Sequence, residues 1–337
     1  MANVDRRKNY TLPELLVSKT HLSWYAATVI FALLLVLGLF LTALSEIIPL
    51  NELSWDYWRI GLQGPAIIIY ILIIYPIINR MGDNAIESIM PLLDMDKKEI
   101  DALQSKYYSP SRLGEWISLS AGATFILVMS QPWRGNFEFN TIFLYITEII
   151  MFSLLTLLIY YGFYNSRYIT QINKNLKLDI FNVETLAPFA RWSLSVSFAF
   201  IGGIMISIVF QTVDNLMQWQ VIVIYVILVA STVAIFFISL WSTHMAIVNV
   251  KRREFSVVEM RLAEACHKLT QKATDNANES DSVLHLEVAA WGLYERRIRE
   301  TKEWPYNAGI IGRLLLSILS PGIVYLIKLL TGIPLDF

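Results

Sequence analysis

The apolar run from Asn140 to Tyr164, NTIFLYITEIIMFSLLTLLIYYGFY, constrains the fold of this chain most strongly. About 20 consecutive apolar residues in a helix cross the roughly 30 Å hydrocarbon core of a bilayer, and this run is long enough to do so. Its only acidic or basic residue is Glu148, which a helix would place roughly 12 Å along the axis from Asn140. A carboxyl at that depth is expected to face protein or a water-filled cavity rather than lipid. We therefore predict a transmembrane helix here.

Further apolar segments repeat this design, and together they predict an all-α, polytopic membrane helix bundle. The composition agrees, because only 16% of the 337 residues are charged whereas soluble domains average about 25%. We expect the first span to remain in the protein as a signal-anchor helix rather than to be cleaved off, because it is longer than the apolar region of a signal peptide. The predicted spans are residues 23–44, 58–78, 113–129, 140–164, 192–213 and 221–248.

Short loops join these spans into three hairpins, and longer polar segments connect one hairpin to the next. Lysine and arginine are concentrated on the long-segment side: four lie in the arm 1–21, five in residues 79–112 and four in residues 165–191, against two in the short loops. Because positive residues favour the cytoplasm, the N-terminus and the long segments are predicted to be cytoplasmic, in a plasma or cell inner membrane. The domains are thus a basic cytoplasmic arm, 1–21, and a six-helix membrane domain, 22–248.

Residues 249–304 are predicted to form a cytoplasmic antiparallel helical hairpin. Apolar residues recur there at steps of three and four, the spacing of two amphipathic helices joined by a short polar turn. The first set is Val258, Leu262, Ala265 and Leu269, and the second is Leu284, Val288, Trp291 and Ile298, with Glu295 as a polar exception. Residues 255–302 are therefore also a candidate surface for a cytosolic partner.

The C-terminal segment, residues 305–337, is apolar from Ala308 to Leu330 but contains basic residues and Pro321. It is expected to be membrane-embedded or interfacial, and a seventh span, a re-entrant segment and an interfacial helix all remain open. Its polar residues share one helical face. They either line an anion-conducting pore in an oligomer or form the water-facing side of an interfacial helix, and we favour the second interpretation. These residues are Arg313, Ser317, Ser320 and Lys328.

Glu148 is the leading candidate for an intramembrane polar site. It either binds an ion or proton, or it forms a structural hydrogen bond or ion pair that fixes helix register. The expected partners are Arg59 and Gln63, which lie one turn apart at the outer end of the second span. Of the two roles, the structural one is the simpler expectation.

Small residues at every fourth position indicate helix packing in two of the spans. Such ridges allow close approach of helices in lipid, either within one subunit or across a dimer seam, and we expect the former. The longer ridge is Ser195, Ala199, Gly203 and Ser207, and the shorter one is Ser118 and Gly122.

The sequence contains no constellation that points to catalysis. The four histidines, His21, His244, His267 and His285, are scattered, and no zinc, nucleophile-elbow or phosphate-loop motif is present. The single cysteine and the net charge of −1 suggest neither a disulfide framework nor nucleic-acid binding. We expect no enzymatic activity, cofactor or metal, with the lipid bilayer as the main partner. The expected function is a small oligomeric ion channel or transport protein; the alternative is a membrane scaffold or signalling subunit whose cytoplasmic hairpin binds a partner.

Overall fold

The computed structural model describes residues 11–45, 55–93, 96, 98–100, 102, 110–134, 138–174, 181, 183–275, 282–301, 303–304 and 308–331. These residues are almost entirely helical and include no strand, which confirms the all-α prediction. The helices are α1 (Leu12–Lys19), α2 (Trp24–Ser45), α3 (Trp55–Ile89), α4 (Arg112–Ser130), α5 (Phe139–Lys174), α6 (Ala187–Phe210), α7 (Val213–Leu216), α8 (Trp219–Asp275), α9 (Ser282–Glu300) and α10 (Ala308–Thr331).

Six helices of the described chain, α2 to α6 and α8, are long and apolar enough to cross a membrane. They correspond to the six predicted spans and confirm a membrane-type bundle. Helices α2, α4 and α6 end at one end of the bundle, which we call the short-loop end. Helices α3 and α5 end at the opposite end, which we call the long-loop end.

Three of these helices extend well beyond the spans predicted from hydropathy. Helix α3 continues to Ile89 and α5 to Lys174, while α8 runs without a break to Asp275. Helix α8 continues past residue 248, where the sixth span was predicted to end, because residues 219–275 contain no glycine or proline and the charged residues there are good helix formers. Pro65 and Pro76 lie inside α3 without ending it.

Helices α3, α5, α6 and α8 form the centre of the bundle. Their buried side chains make the largest apolar cluster, which includes Tyr75, Leu157, Trp192 and Ile235. Helix α2 packs against α3 and α5, and α4 packs against α5. Helix α5, which contains the apolar run 140–164, therefore contacts four of the other membrane helices.

Beyond the membrane spans, α9 folds back along the C-terminal part of α8. Val258 on α8 and Ile298 on α9 are buried, and Phe255, Trp291 and Tyr294 pack around them. The predicted apolar faces are the ones that meet, with Ala265 and Leu284 also buried. Each of these amphipathic helices has an apolar face that it cannot remove from water by itself, so the two helices pack with their apolar faces together.

Helix α10 lies along α6, in line with the bundle rather than across its end. Trp304, just before α10, stacks on His244 at 4.0 Å, and the Tyr325 hydroxyl near the other end donates to the Leu216 carbonyl at 3.1 Å. Since α8 carries His244 towards the long-loop end and Leu216 belongs to the short-loop end, α10 runs between the two ends. This course favours a membrane-embedded segment, and its stretch Leu316–Ile327 is apolar.

Candidate functional site

Glu148 lines a polar cavity inside the short-loop half of the bundle. The cavity has a volume of about 350 Å³ and is enclosed by α3, α4, α5, α6 and the start of α8. Exposed Gln218 lies on its rim, so the cavity reaches the short-loop end. Its polar lining comprises Gln63, Ser130, Thr147, Glu148, Ser207, Gln211, Gln218, Gln220 and Tyr225.

The carboxyl of Glu148 has no protein partner within the described residues. Its Oε2 atom is buried without a hydrogen bond. Arg59, one of the two expected partners, instead donates to Asp56, three residues earlier on the same helix, at 2.7 Å. Gln63, the other, lines the same cavity but donates to Ser207 Oγ at 3.3 Å. Neither expected partner therefore bonds to Glu148 among the described residues, and the Nε of Arg59 is also buried without a hydrogen bond.

Part of the cavity wall is a short hydrogen-bonded network between three helices. Ser207 Oγ on α6 lies 3.0 Å from the Tyr225 hydroxyl on α8 and also accepts from Gln63 on α3. On the α5 side, Thr147 comes close because Gly64 on α3 has no side chain; a Cβ there would lie 3.0 Å from the threonine hydroxyl. The cavity thus contains hydroxyl and amide groups that are held in place by hydrogen bonds to other groups.

Two smaller cavities continue from this one towards the long-loop end between α3, α5, α6 and α8. The first is about 50 Å³ and is bordered by aromatic residues, including Tyr70, whose hydroxyl donates to the Ala199 carbonyl at 2.8 Å. The second is about 10 Å³ and lies between Tyr75, Asn79 and Tyr161. The three cavities follow the centre of the bundle, with side chains closing the path between them.

A buried carboxylate at the long-loop end, Glu115, was missed by the sequence interpretation. It is 0% exposed, accepts hydrogen bonds from the Tyr161 hydroxyl at 2.7 Å and the Leu12 amide at 3.1 Å, and pairs with Arg112 at 3.0 Å. Beside it, Thr11 Oγ1 lies 2.6 Å from the Tyr75 hydroxyl. These contacts hold α1 against the bundle, next to the cavity of about 10 Å³.

The small-residue ridges pack against helices of the same chain. On α6, the carbonyl of Ala199 accepts from Tyr70, and Gly203 lies against the same ring. On α4, the carbonyl of Ser118 accepts from Thr156 Oγ1 at 2.8 Å, and a Cβ at Gly122 would meet the backbone of α5. Ser207, at the end of the α6 ridge, belongs to the cavity wall, whereas Ser195 Oγ donates to the Arg191 carbonyl of its own helix.

The exposed side chains that the structure describes on α10 are apolar, and the polar stripe suggested by the sequence stays a prediction. Ser317 and Ser320 are half-buried, and Ser320 Oγ donates to the Ser317 carbonyl at 2.7 Å. The side chains of Arg313 and Lys328 lie outside the described residues. The exposed stripe consists of large apolar residues at steps of three and four: Leu316, Leu319, Ile323, Leu326 and Leu330.

Among the described residues, no group of three or more histidine, cysteine, aspartate or glutamate side chains is placed to hold a metal ion. No family model, no curated protein and no solved structure matches this chain. Function is therefore inferred from the geometry of the chain itself.

Proposed function

We propose that this protein is an oligomeric ion channel or transport protein in which Glu148 binds a cation on its path. The unpaired carboxyl of Glu148 on a polar cavity inside the bundle carries this proposal. A carboxylate removed from water is costly unless it is paired and hydrogen-bonded. With Arg59 held by Asp56, a cation entering from the short-loop end supplies the missing partner.

The cavity lining suits a monovalent or organic cation better than a divalent metal. Calcium and magnesium sites usually combine several carboxylates with other oxygens, whereas Glu148 is the only carboxylate among the described residues that line this cavity. Neutral oxygens are available from Gln63, Ser207 and Tyr225. One negative charge with neutral oxygen ligands balances one positive charge, and it binds the cation weakly enough for release.

The oligomeric part of the proposal is supported by an exposed apolar face on α9. On α9, which lies beyond the spans, Val283, Leu286 and Leu293 are each 69% exposed and recur at helical spacing. An apolar stripe of this kind in water marks a helix–helix contact. The apolar stripe of α10 lies in the segment that we place in the membrane, where lipid covers such a face, so the face of α9 carries this part of the proposal.

The stripe on α9 also favours the second candidate function, a membrane scaffold or signalling subunit. In that case a cytosolic protein, rather than a second copy, would cover Val283, Leu286 and Leu293. Under either proposal, the excess of positive residues supports a cytoplasmic long-loop end and tail, and we propose the plasma or cell inner membrane as the location. The Glu148 cavity would then open to the outside.

Ion flux through purified protein reconstituted in liposomes tests the first proposal. Glu148→Gln keeps the size of the side chain and removes its charge, so cation flux should fall at least about tenfold, since charge interactions in a low-dielectric site exceed about 1.4 kcal/mol. The matched control is Glu138→Gln, which alters an exposed carboxyl at the same end and should leave flux unchanged. Oligomer size should be the same in all three proteins.

Full cation flux in Glu148→Gln would contradict the assignment of Glu148. A wild type that carries no ion, together with a cytosolic protein retained by wild type and lost in Leu286→Ser, would favour the scaffold. If Leu286→Ser instead reduces oligomer size, the stripe on α9 is a contact between copies.

A further inference from the structure

A second site lies at the long-loop end, on the outer surface between α5 and α8. It is an open groove of about 740 Å³ with an apolar part and a polar part. The apolar part includes Phe237, Ile238 and Trp241, all exposed. The polar part includes Thr170, Asn173, Ser242 and Asn249.

The position of the groove along α8 places it at the edge of the membrane. Trp219 and Trp241 are both exposed and lie 22 residues apart, which is about 33 Å of helix. This separation matches the hydrocarbon thickness of roughly 30 Å, and tryptophan is enriched at both membrane interfaces. The apolar part of the groove thus begins at the hydrocarbon edge, and the polar part lies at the level of lipid headgroups.

Asn173 carries a buried hydrogen-bond acceptor without a donor. The residue is 6% exposed, and its Nδ2 donates to Ser242 Oγ at 3.1 Å and to Thr243 Oγ1 at 3.2 Å. These two bonds fix the amide and leave Oδ1 without a partner among the described residues. Because buried acceptors are nearly always satisfied, and because Asn173 lines the groove, its missing donor is expected to come from a bound molecule.

We propose that this groove binds a phospholipid with a primary ammonium headgroup, of the phosphatidylethanolamine class. Its acyl chain would lie along Phe237, Ile238 and Trp241, and its ammonium would donate to Asn173 Oδ1. The described lining residues carry no charged side chain, which suits a zwitterionic lipid better than an anionic one. Phosphatidylcholine has the same phosphate and acyl chains but no N–H, so it cannot make this hydrogen bond.

The test is native mass spectrometry of the delipidated full-length protein, titrated separately with phosphatidylethanolamine and phosphatidylcholine of identical acyl chains. Wild type should bind the first of these lipids about tenfold more tightly, which corresponds to about 1.4 kcal/mol. Asn173→Leu should abolish this preference. Because that variant also loses two hydrogen bonds within the protein, Ala246→Trp provides a second test, since it fills the groove and keeps Asn173.

Ala246→Trp should weaken binding of phosphatidylethanolamine at least about tenfold. The matched control is Ala263→Trp, an exposed position on the same helix outside the groove, which should bind as wild type does. Equal affinity of wild type for the two lipids, tighter binding of phosphatidylglycerol than of phosphatidylethanolamine, or unchanged binding in Ala246→Trp would each overturn the proposal. None of these outcomes depends on ion flux, so the lipid site stands or falls independently of the proposed channel.

Discussion

Replacing Glu115 by alanine should release α1 from the bundle. The carboxylate is fully buried and accepts hydrogen bonds from the Leu12 amide and the Tyr161 hydroxyl. Both donors would lose their acceptor together, and the Tyr161 hydroxyl would be left inside the protein. The contact links residues 103 positions apart in the chain, so local helix formation cannot compensate for it.

The structure sets the size of this effect. A hydrogen bond to a charged group is worth about 1.5–3 kcal/mol, so two of them give about 3–6 kcal/mol. The ion pair with Arg112 adds little, because the arginine side chain is 45% exposed and partly exposed pairs contribute at most about 1 kcal/mol. Glu115→Gln keeps an oxygen that accepts from Tyr161 and should lose only about 1–2 kcal/mol.

Hydrogen exchange of residues 11–19 in lipid nanodiscs measures the detachment of α1. In Glu115→Ala these amides should exchange at least about a hundredfold faster, since each 1.4 kcal/mol of lost local stability is about a factor of ten. Glu115→Gln should fall between this variant and wild type. Glu138→Ala, which removes an exposed carboxyl, is the control. Unchanged exchange in Glu115→Ala would show that the carboxylate does not hold α1 in place.

Two further predictions concern the topology and the tail. In a Cys266→Ser background, a cysteine at Gln218 should react with a membrane-impermeant reagent on intact cells and one at His285 should not; the reverse pattern would invert the orientation inferred from the positive residues. In the tail, Val258→Asp should abolish protease resistance, because it buries an unpaired charge between α8 and α9. The control is Val257→Asp, at the exposed neighbouring position, which should have no effect. Equal protease resistance of the two variants would refute the pairing of the helices.

The membrane bundle could be predicted from sequence because lipid leaves few alternatives. A backbone segment in hydrocarbon must satisfy its own hydrogen bonds, so an apolar run of sufficient length is a helix. The ends of the helices were less predictable, as α3 and α5 show by continuing into polar sequence. Hydropathy reports where lipid contact ends, whereas a helix ends at a breaker or a cap, and none interrupts α8 between Trp219 and Asp275.

The candidate site was only partly visible in the sequence. Glu148 stood out because it is the only charged residue in a long apolar run, but the pairing of Arg59 with Asp56, three residues earlier on the same helix, was overlooked. Glu115 and Asn173 lie near helix ends, where polar residues are ordinary. Their burial results from neighbours distant in sequence, namely α1 for Glu115 and α8 for Asn173.

The continuity of α8 has a mechanical consequence. The helix lines the Glu148 cavity near its beginning and supports α9 near its end, with no glycine or proline hinge between them. From Trp241 to Asp275 it extends about 50 Å, so a tilt of about 5° within the membrane would displace its far end by about 4 Å if the rod stays straight. A small tilt of α8 near the cavity would therefore produce a larger displacement of the tail. In the opposite direction, a force applied to the tail would be transmitted along α8 to the cavity.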